Sequence, residues 1–122
     1  MDMLYYIYIG SNRVTIDHLS KIAGGMFMAV SSCNKAAKVI DGIRERYNTS
    51  ILYEESTPQK DSQNITFLHK RFPRVYIILI TEGLQKEHRK LYLQAGVNNT
   101  LSPMASEESL QQMTKFLQLR KE

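Results

Sequence analysis

Few residues of this chain combine side-chain types and spacings that could do chemistry together. Glu54 and Glu55 are adjacent carboxylates behind the apolar run Ser50-Ile51-Leu52-Tyr53. Acid–base catalysis needs two carboxyls aimed at one point, and consecutive residues at a strand end point to opposite faces. Asp17, His18 and His88 are the other candidate ligands, and their spacing offers no pair that could share a metal ion. His88 falls on an apolar helical stripe and reads as a packing residue. Cys33 is the single cysteine. It can form no intrachain disulfide, which points to a reducing compartment, and without a neighbouring His it reads as structural. Gly10-Ser11-Asn12 follows an apolar run and precedes a helical pattern, a place where backbone N–H groups can hold a phosphate. The chain has no Gly-x-Gly-x-x-Gly and no Walker sequence, which argues against dinucleotides and nucleoside triphosphates. No cofactor is implied.

The elements that would position these residues belong to one domain spanning residues 1–122. The hydrophobic fraction of 43% and charged fraction of 23% are those of a globular protein rather than a disordered one. The net charge is +4, spread without long blocks. Lys70, Arg71 and Arg74 cluster, as do Arg120 and Lys121, but no aromatic–basic interleaving accompanies them, which argues against nucleic-acid binding by this domain. No stretch approaches 18 consecutive apolar residues, and the first residues lack a basic start and a long apolar core, so neither a membrane span nor a signal peptide is expected. The expected location is cytoplasmic.

Apolar periodicity predicts an alternation of strand and helix. Residues 4–9, Leu-Tyr-Tyr-Ile-Tyr-Ile, have strand composition without strict alternation, as in a strand covered on both faces. Ile16, Leu19, Ile22 and Ala23 then recur at helical spacing, and Gly24-Gly25 is expected to end that helix in a left-handed conformation. Residues 26–30 form a second strand, and Ser31 or Ser32 caps a helix over residues 35–47. Residues 50–53 form a third strand. A long polar loop is expected from 54 to 63, with a modest helix from about Asp61 that stops at Phe72-Pro73. Residues 75–80, Val-Tyr-Ile-Ile-Leu-Ile, form the central strand. A helix over 84–95 carries Leu84, His88, Leu91 and Ala95 on one stripe and stops at Gly96. A fifth, less apolar strand over 97–101 reads as an edge. Ser106 caps a last helix with Leu110, Met113, Phe116 and Leu117 facing inward. Five strand–helix repeats require crossover connections and hence a parallel sheet.

In such a sheet, ligands sit beyond the carboxyl ends of the strands, and the residues there resemble those of one family. Tyr6-Ile7-Tyr8-Ile9-Gly10-Ser11-Asn12, Ser50-Ile51-Leu52-Tyr53-Glu54 with Pro58 four residues on, Ile77-Ile78-Leu79-Ile80-Thr81, and Ala95-Gly96-Val97-Asn98-Asn99-Thr100-Leu101-Ser102-Pro103 occur in order along the whole chain. The pattern resembles the receiver domains of two-component response regulators. The resemblance implies a flavodoxin-like (βα)5 doubly wound three-layer sandwich, α/β, with a five-stranded parallel sheet in order 2-1-3-4-5. It also implies a cis bond at Ser102-Pro103.

The departures bear on function. Gly10 and Ser11 stand where the family has its magnesium-binding acids, and a hard cation finds no carboxylate cage there. Glu54 stands at the phosphoacceptor aspartate, longer by about one bond, on the order of 1.5 Å, which misplaces the reactive oxygen. Ser102 replaces the lysine and Thr100 the aromatic residue of the fifth strand. Thr81 alone remains, and it is also expected to cap the following helix. Gly10, Ser11, Glu54, Thr81, Ser102 and Pro103 therefore read as a degenerate site, with no catalytic residue and no bound metal, and Glu54 reads as a solvated carboxylate in preference to a phosphorylation mimic. The resemblance implies a phosphorylation-independent pseudo-receiver: a regulatory or protein-interaction module in bacterial signalling, not an enzyme. Its partner would be a protein or effector domain, with the fourth helix, fifth strand and fifth helix as the contact or homodimer face, exposing Lys86, Arg89, Lys90, Gln94, Gln112 and Lys115. It would be the regulatory N-terminal part of a larger chain. The Gly-Ser-Asn and Tyr-Glu-Glu variants resemble the receiver-like N-terminal domains of polysaccharide sugar transferases. The alternatives are a true receiver with Glu54 as slow acceptor, and a small-ligand binder of flavodoxin-like fold.

Overall fold

The structure is a computed structural model that describes residues 3–118, apart from the side chains of Phe116 and Gln118. The elements follow in the order β1 (Tyr5–Ile9), α1 (Arg13–Ile22), β2 (Met26–Val30), α2 (Cys33–Asp41), a 3-10 turn (Arg46–Asn48), β3 (Thr49–Glu54), α3 (Pro58–Arg71), β4 (Tyr76–Ile80), α4 (Lys86–Ala95), β5 (Asn99–Leu101) and α5 (Glu107–Gln118). All strands are parallel and their order is β2-β1-β3-β4-β5. This is the expected flavodoxin-like arrangement of strands and helices.

The side-chain alternation of the three central strands builds two cores, one on each face of the sheet. Ile7, Ile9, Ile51, Tyr53, Ile77 and Leu79 pack with residues of α2, α3 and α4. Tyr6, Tyr8, Leu52, Tyr76, Ile78 and Ile80 pack with residues of α1 and α5. Burial on both faces explains why β1, β3 and β4 read as continuous apolar runs. The edge strand β2 leaves Met26 and Met28 about half exposed.

Several boundaries differ from the sequence expectation. α2 ends at Asp41 because glycine is a poor helix former: Gly42 N–H turns to the Val39 carbonyl, and Arg46–Asn48 form a separate turn. α3 starts at Pro58, not near Asp61. Proline lacks an N–H that the first turn would leave unpaired anyway, so the polar stretch 58–63 is helix and the loop before it is short. α1 ends through an extended Ala23, and neither Gly24 nor Gly25 has a positive φ. Gly25 is instead needed for space, since a Cβ there would collide with the Leu4 carbonyl. The Ser102-Pro103 bond is trans, not cis. The turn is held by the Ser102 carbonyl, which accepts from Ala105 N–H at 3.1 Å, and by Ser102 Oγ, which accepts from Met104 N–H at 3.2 Å. Of the caps, Ser32 rather than Ser31 receives the Lys35 N–H, and Ser106 receives the Ser109 N–H. The inward face of α5 holds Leu110, Thr114 and Leu117, with Met113 half-buried; the Phe116 side chain, Arg120 and Lys121 lie outside the described residues.

Candidate functional site

The strand order reverses between β1 and β3, and Glu54 ends β3 at that point. Two clefts open on either side of it. One, of about 380 Å³, is lined by Tyr8, Asn12, Glu54, Glu55, Thr81 and Glu82 among others. The other, of about 500 Å³, includes Ser11, Ser32, Cys33, Glu54, Lys60 and Asp61 in its wall.

Glu54 is half-buried and hydrogen-bonded, not a freely solvated carboxylate. It folds back toward β1 and accepts the Tyr8 hydroxyl at 2.6 Å and the Asn12 N–H at 3.0 Å, with the Ser11 N–H at 3.5 Å. Asn12 is the N-cap of α1, and its own side chain accepts the Thr15 N–H. The negative charge of Glu54 therefore lies at the positive end of α1. The site has been built around this bend. Gly10 stands beside it with φ +157°, and a Cβ at Gly10 would lie 2.5 Å from Glu54 Oε1 and 2.6 Å from its Cβ. Burial, reinforced by the Glu54 carboxylate, pushes the Tyr8 phenol well above its ordinary value.

Glu55 points elsewhere and accepts the Thr81 hydroxyl at 2.6 Å. Thr81 Oγ1 in turn accepts the Gly83 N–H at 3.2 Å. Thr81 does not cap α4, whose N-cap is Gln85 without a side-chain bond. Ser102 is exposed and occupied with its own turn, while Pro103 lines the first cleft. No Lys or Arg lines that cleft, and three glutamates do.

The residue that sequence reasoning missed is Asp61. It is fully buried in the first turn of α3. Its carboxylate accepts the Ser56 N–H at 2.7 Å, the Tyr92 hydroxyl at 2.8 Å and the Tyr53 hydroxyl at 3.2 Å. Asn64 Nδ2 donates to the Tyr53 hydroxyl at 2.9 Å. These bonds tie β3, the loop after it, α3 and α4 together. Burial raises the Tyr53 and Tyr92 phenols, and Asp61 adds to it. The Cys33 thiol is likewise raised, by burial first and the Asp61 charge second, which makes it a poor nucleophile. A signal was available: Asp61, Ile65, Leu68 and Phe72 recur at helical spacing, placing an acid at the head of an apolar stripe.

His18 Nε2 lies 2.6 Å from the Ala105 carbonyl, and His88 is half-buried on α4. No group of three or more His, Cys, Asp or Glu side chains among the described residues could hold a metal ion. Lys86, Arg89, Lys90 and Gln94 on α4 and Gln112 and Lys115 on α5 are all exposed. No helix among the described residues is long and apolar enough to cross a membrane.

No family model matches the sequence, and no curated protein matches it. Solved structures do. A response regulator from Thermotoga maritima superposes with a TM-score of 0.81 at 12% identity, covering 95% of this chain and 98% of that one. A CheY-like protein (tadZ) from Pseudomonas aeruginosa gives 0.78 at 13% identity, over 96% and 94%. A CheY-like response regulator receiver domain from Methanospirillum hungatei gives 0.78 at 14% identity, over 98% of both chains. The fold is that of a receiver domain. At these identities the likeness speaks for the architecture alone.

Proposed function

We propose that this receiver-fold chain is a regulatory, protein-binding module whose state does not depend on phosphorylation. The observation that carries this reading is the position of Glu54. The side chain at the acceptor position is already engaged by the Tyr8 hydroxyl and the start of α1. Phosphoryl transfer is catalysed by positioning and by neutralising charge. Of the two clefts beside Glu54, the one toward Thr81 offers three carboxylates and no Lys or Arg among its lining residues, so a phosphoryl group entering there would meet like charge, while Lys60 lies in the wall of the other. Gly10 and Ser11 supply no carboxylate for magnesium.

The contact surface is the exposed side of α4 and α5 around Lys86, Arg89, Lys90, Gln94, Gln112 and Lys115, which suits a protein or effector domain with acidic side chains. The module acts on an effector joined to it or on a separate protein. The test is incubation with acetyl phosphate and magnesium followed by intact mass measurement. An unchanged mass is expected. A phosphoryl adduct on Glu54 would overturn the reading and make the chain a slow, true receiver.

A further inference from the structure

The two edges of the sheet are finished differently. At the β5 edge, Leu101 faces β4, because its carbonyl accepts the Thr81 N–H. Thr100 therefore faces outward, and its N–H is already taken by Asn99 Oδ1 at 2.9 Å. That edge is three residues long and largely closed.

The β2 edge is five residues long and open. Met26 N–H donates to the Leu4 carbonyl at 2.8 Å, and the Val30 carbonyl accepts the Gly10 N–H at 3.0 Å. Met26, Met28 and Val30 thus turn their backbone groups to β1, and Phe27 and Ala29 turn theirs outward. Proteins ordinarily guard such an edge with lysine, proline, a bulge or a very short strand. Here residues 22–34 contain no charged residue and no proline. Met26 and Met28 are 56% and 48% exposed on the same side of the strand.

The outward residues also say what fits. Phe27 and Ala29 lie symmetrically about Met28. An antiparallel copy of the strand, related by a two-fold axis through Met28, sets Phe27 of one copy opposite Ala29 of the other. Each such pair exchanges two N–H···O=C bonds. On the methionine side, Met28 meets Met28 and Met26 meets Val30, so exposed apolar surface is covered. No like charges meet along these strands, although the chain as a whole carries +4. A strand that is its own complement in hydrogen bonding, shape and charge favours an isologous contact.

We propose that β2 is a self-association surface, through which two copies of this chain join edge to edge into one continuous sheet about a two-fold axis at Met28. One strand pair with its methionines is a small interface beside the roughly 1,600 Å² of standard complexes, so the association depends on concentration. The surface is separate from α4 and α5, which stay free for a partner of different chemistry.

Sedimentation velocity over a dilution series of the full chain tests this. The wild type is expected to show a monomer–dimer equilibrium. Met28→Lys and Met28→Glu each put like charges face to face at the axis and weaken association by about tenfold or more. Both variants keep the wild-type circular dichroism spectrum, since the side chain is half exposed. An equal mixture of the two restores a dimer, because Lys then meets Glu. A wild type that stays monomeric throughout overturns the proposal. So does a dimer that neither variant weakens, which would move the interface elsewhere.

Discussion

Replacing Glu54 by alanine tests whether the carboxylate at the end of β3 is a structural tie. The Tyr8 side chain is fully buried and its hydroxyl donates to Glu54 Oε1 at 2.6 Å. Truncation leaves that donor without its acceptor, at a cost of about 1–3 kcal/mol. The Asn12 N–H loses its 3.0 Å partner too, but it is exposed and water replaces the carboxylate there. The loss therefore centres on about 2 kcal/mol, mostly from Tyr8. For a domain of this size that lowers the melting temperature by roughly 6–12 °C. Tyr8→Phe removes the donor instead, and Tyr8→Phe/Glu54→Ala removes both. The double variant should be more stable than the sum of the single losses predicts, with a coupling of about 1–3 kcal/mol. Circular-dichroism melts and urea titrations of the four proteins measure it. A Glu54→Ala change within about 0.5 kcal/mol of wild type, the range of ordinary surface substitutions, would refute the reasoning, as would simple additivity with Tyr8→Phe.

Gly10→Ala should cost about 1–3 kcal/mol by overpacking, because its Cβ would stand 2.5 Å from Glu54 Oε1 and 2.6 Å from Glu54 Cβ, and the cost should shrink more in a Glu54→Gly background than in Glu54→Ala, which keeps the Cβ; urea unfolding of the three pairs decides it. Asp61→Ala leaves the Tyr53 and Tyr92 hydroxyls and the Ser56 N–H without an acceptor and should be the most destabilising of these changes, about 3 kcal/mol or more. Asp61→Asn, which keeps one acceptor oxygen, should cost less, and equal losses for the two variants in thermal melts would count against the network. The folded-state phenols of Tyr8, Tyr53 and Tyr92 are raised above the ordinary value of 10.0. Their contribution to stability is therefore complete below that pH and is lost as pH rises beyond it, since the unfolded chain ionises first. Tyrosinate absorbance should accordingly appear in two stages, the second together with unfolding, and a single stage at the ordinary phenol pH with the fold intact would contradict the burial argument. Magnesium titrated calorimetrically into the protein should give no specific heat, whereas micromolar binding would require Glu54 or Glu55 as ligands.

The alternation of strands and helices was legible because β1, β3 and β4 are buried on both faces, so uninterrupted apolar composition marked them. Their order was reached through the receiver resemblance, and parallel pairing through the intervening helices. The start of α3 was less legible. A Pro followed by polar residues reads as a loop, yet the first helical turn tolerates both. The end of α2 was lost in the same way, because Ile43 continues the apolar spacing past Gly42. The site contacts lay beyond one-dimensional reading. Tyr8 and Glu54 are 46 residues apart and meet only through the pairing of β1 with β3. Tyr92 and Asp61 meet only because α4 packs on α3.

On the proposed reading of a pseudo-receiver, the same contacts show how the residues at the strand ends depend on one another. Glu54 needs the space that Gly10 leaves, and its charge is met by the backbone at the start of α1. The hydroxyl of Thr81 is held by Glu55. Asp61 holds α4 to the end of β3 from the other side. Each of these side chains thus depends on a neighbour, and on the proposed reading one receiver residue introduced alone should not give phosphoryl transfer. Gly10→Asp would collide with Glu54 as the bend now stands, and Glu54→Asp would draw the carboxylate back from Tyr8 while Gly10 and Ser11 still offered no acid to a cation. Only a concerted change at Gly10, Ser11, Glu54 and Ser102 rebuilds both the cation cage and the charge-neutralising lysine. Phosphoryl incorporation from acetyl phosphate should therefore be absent from every single variant and should appear only in the fourfold variant. A single variant that takes up phosphate would show that the positions are independent and that the internal ties described above do not constrain the site.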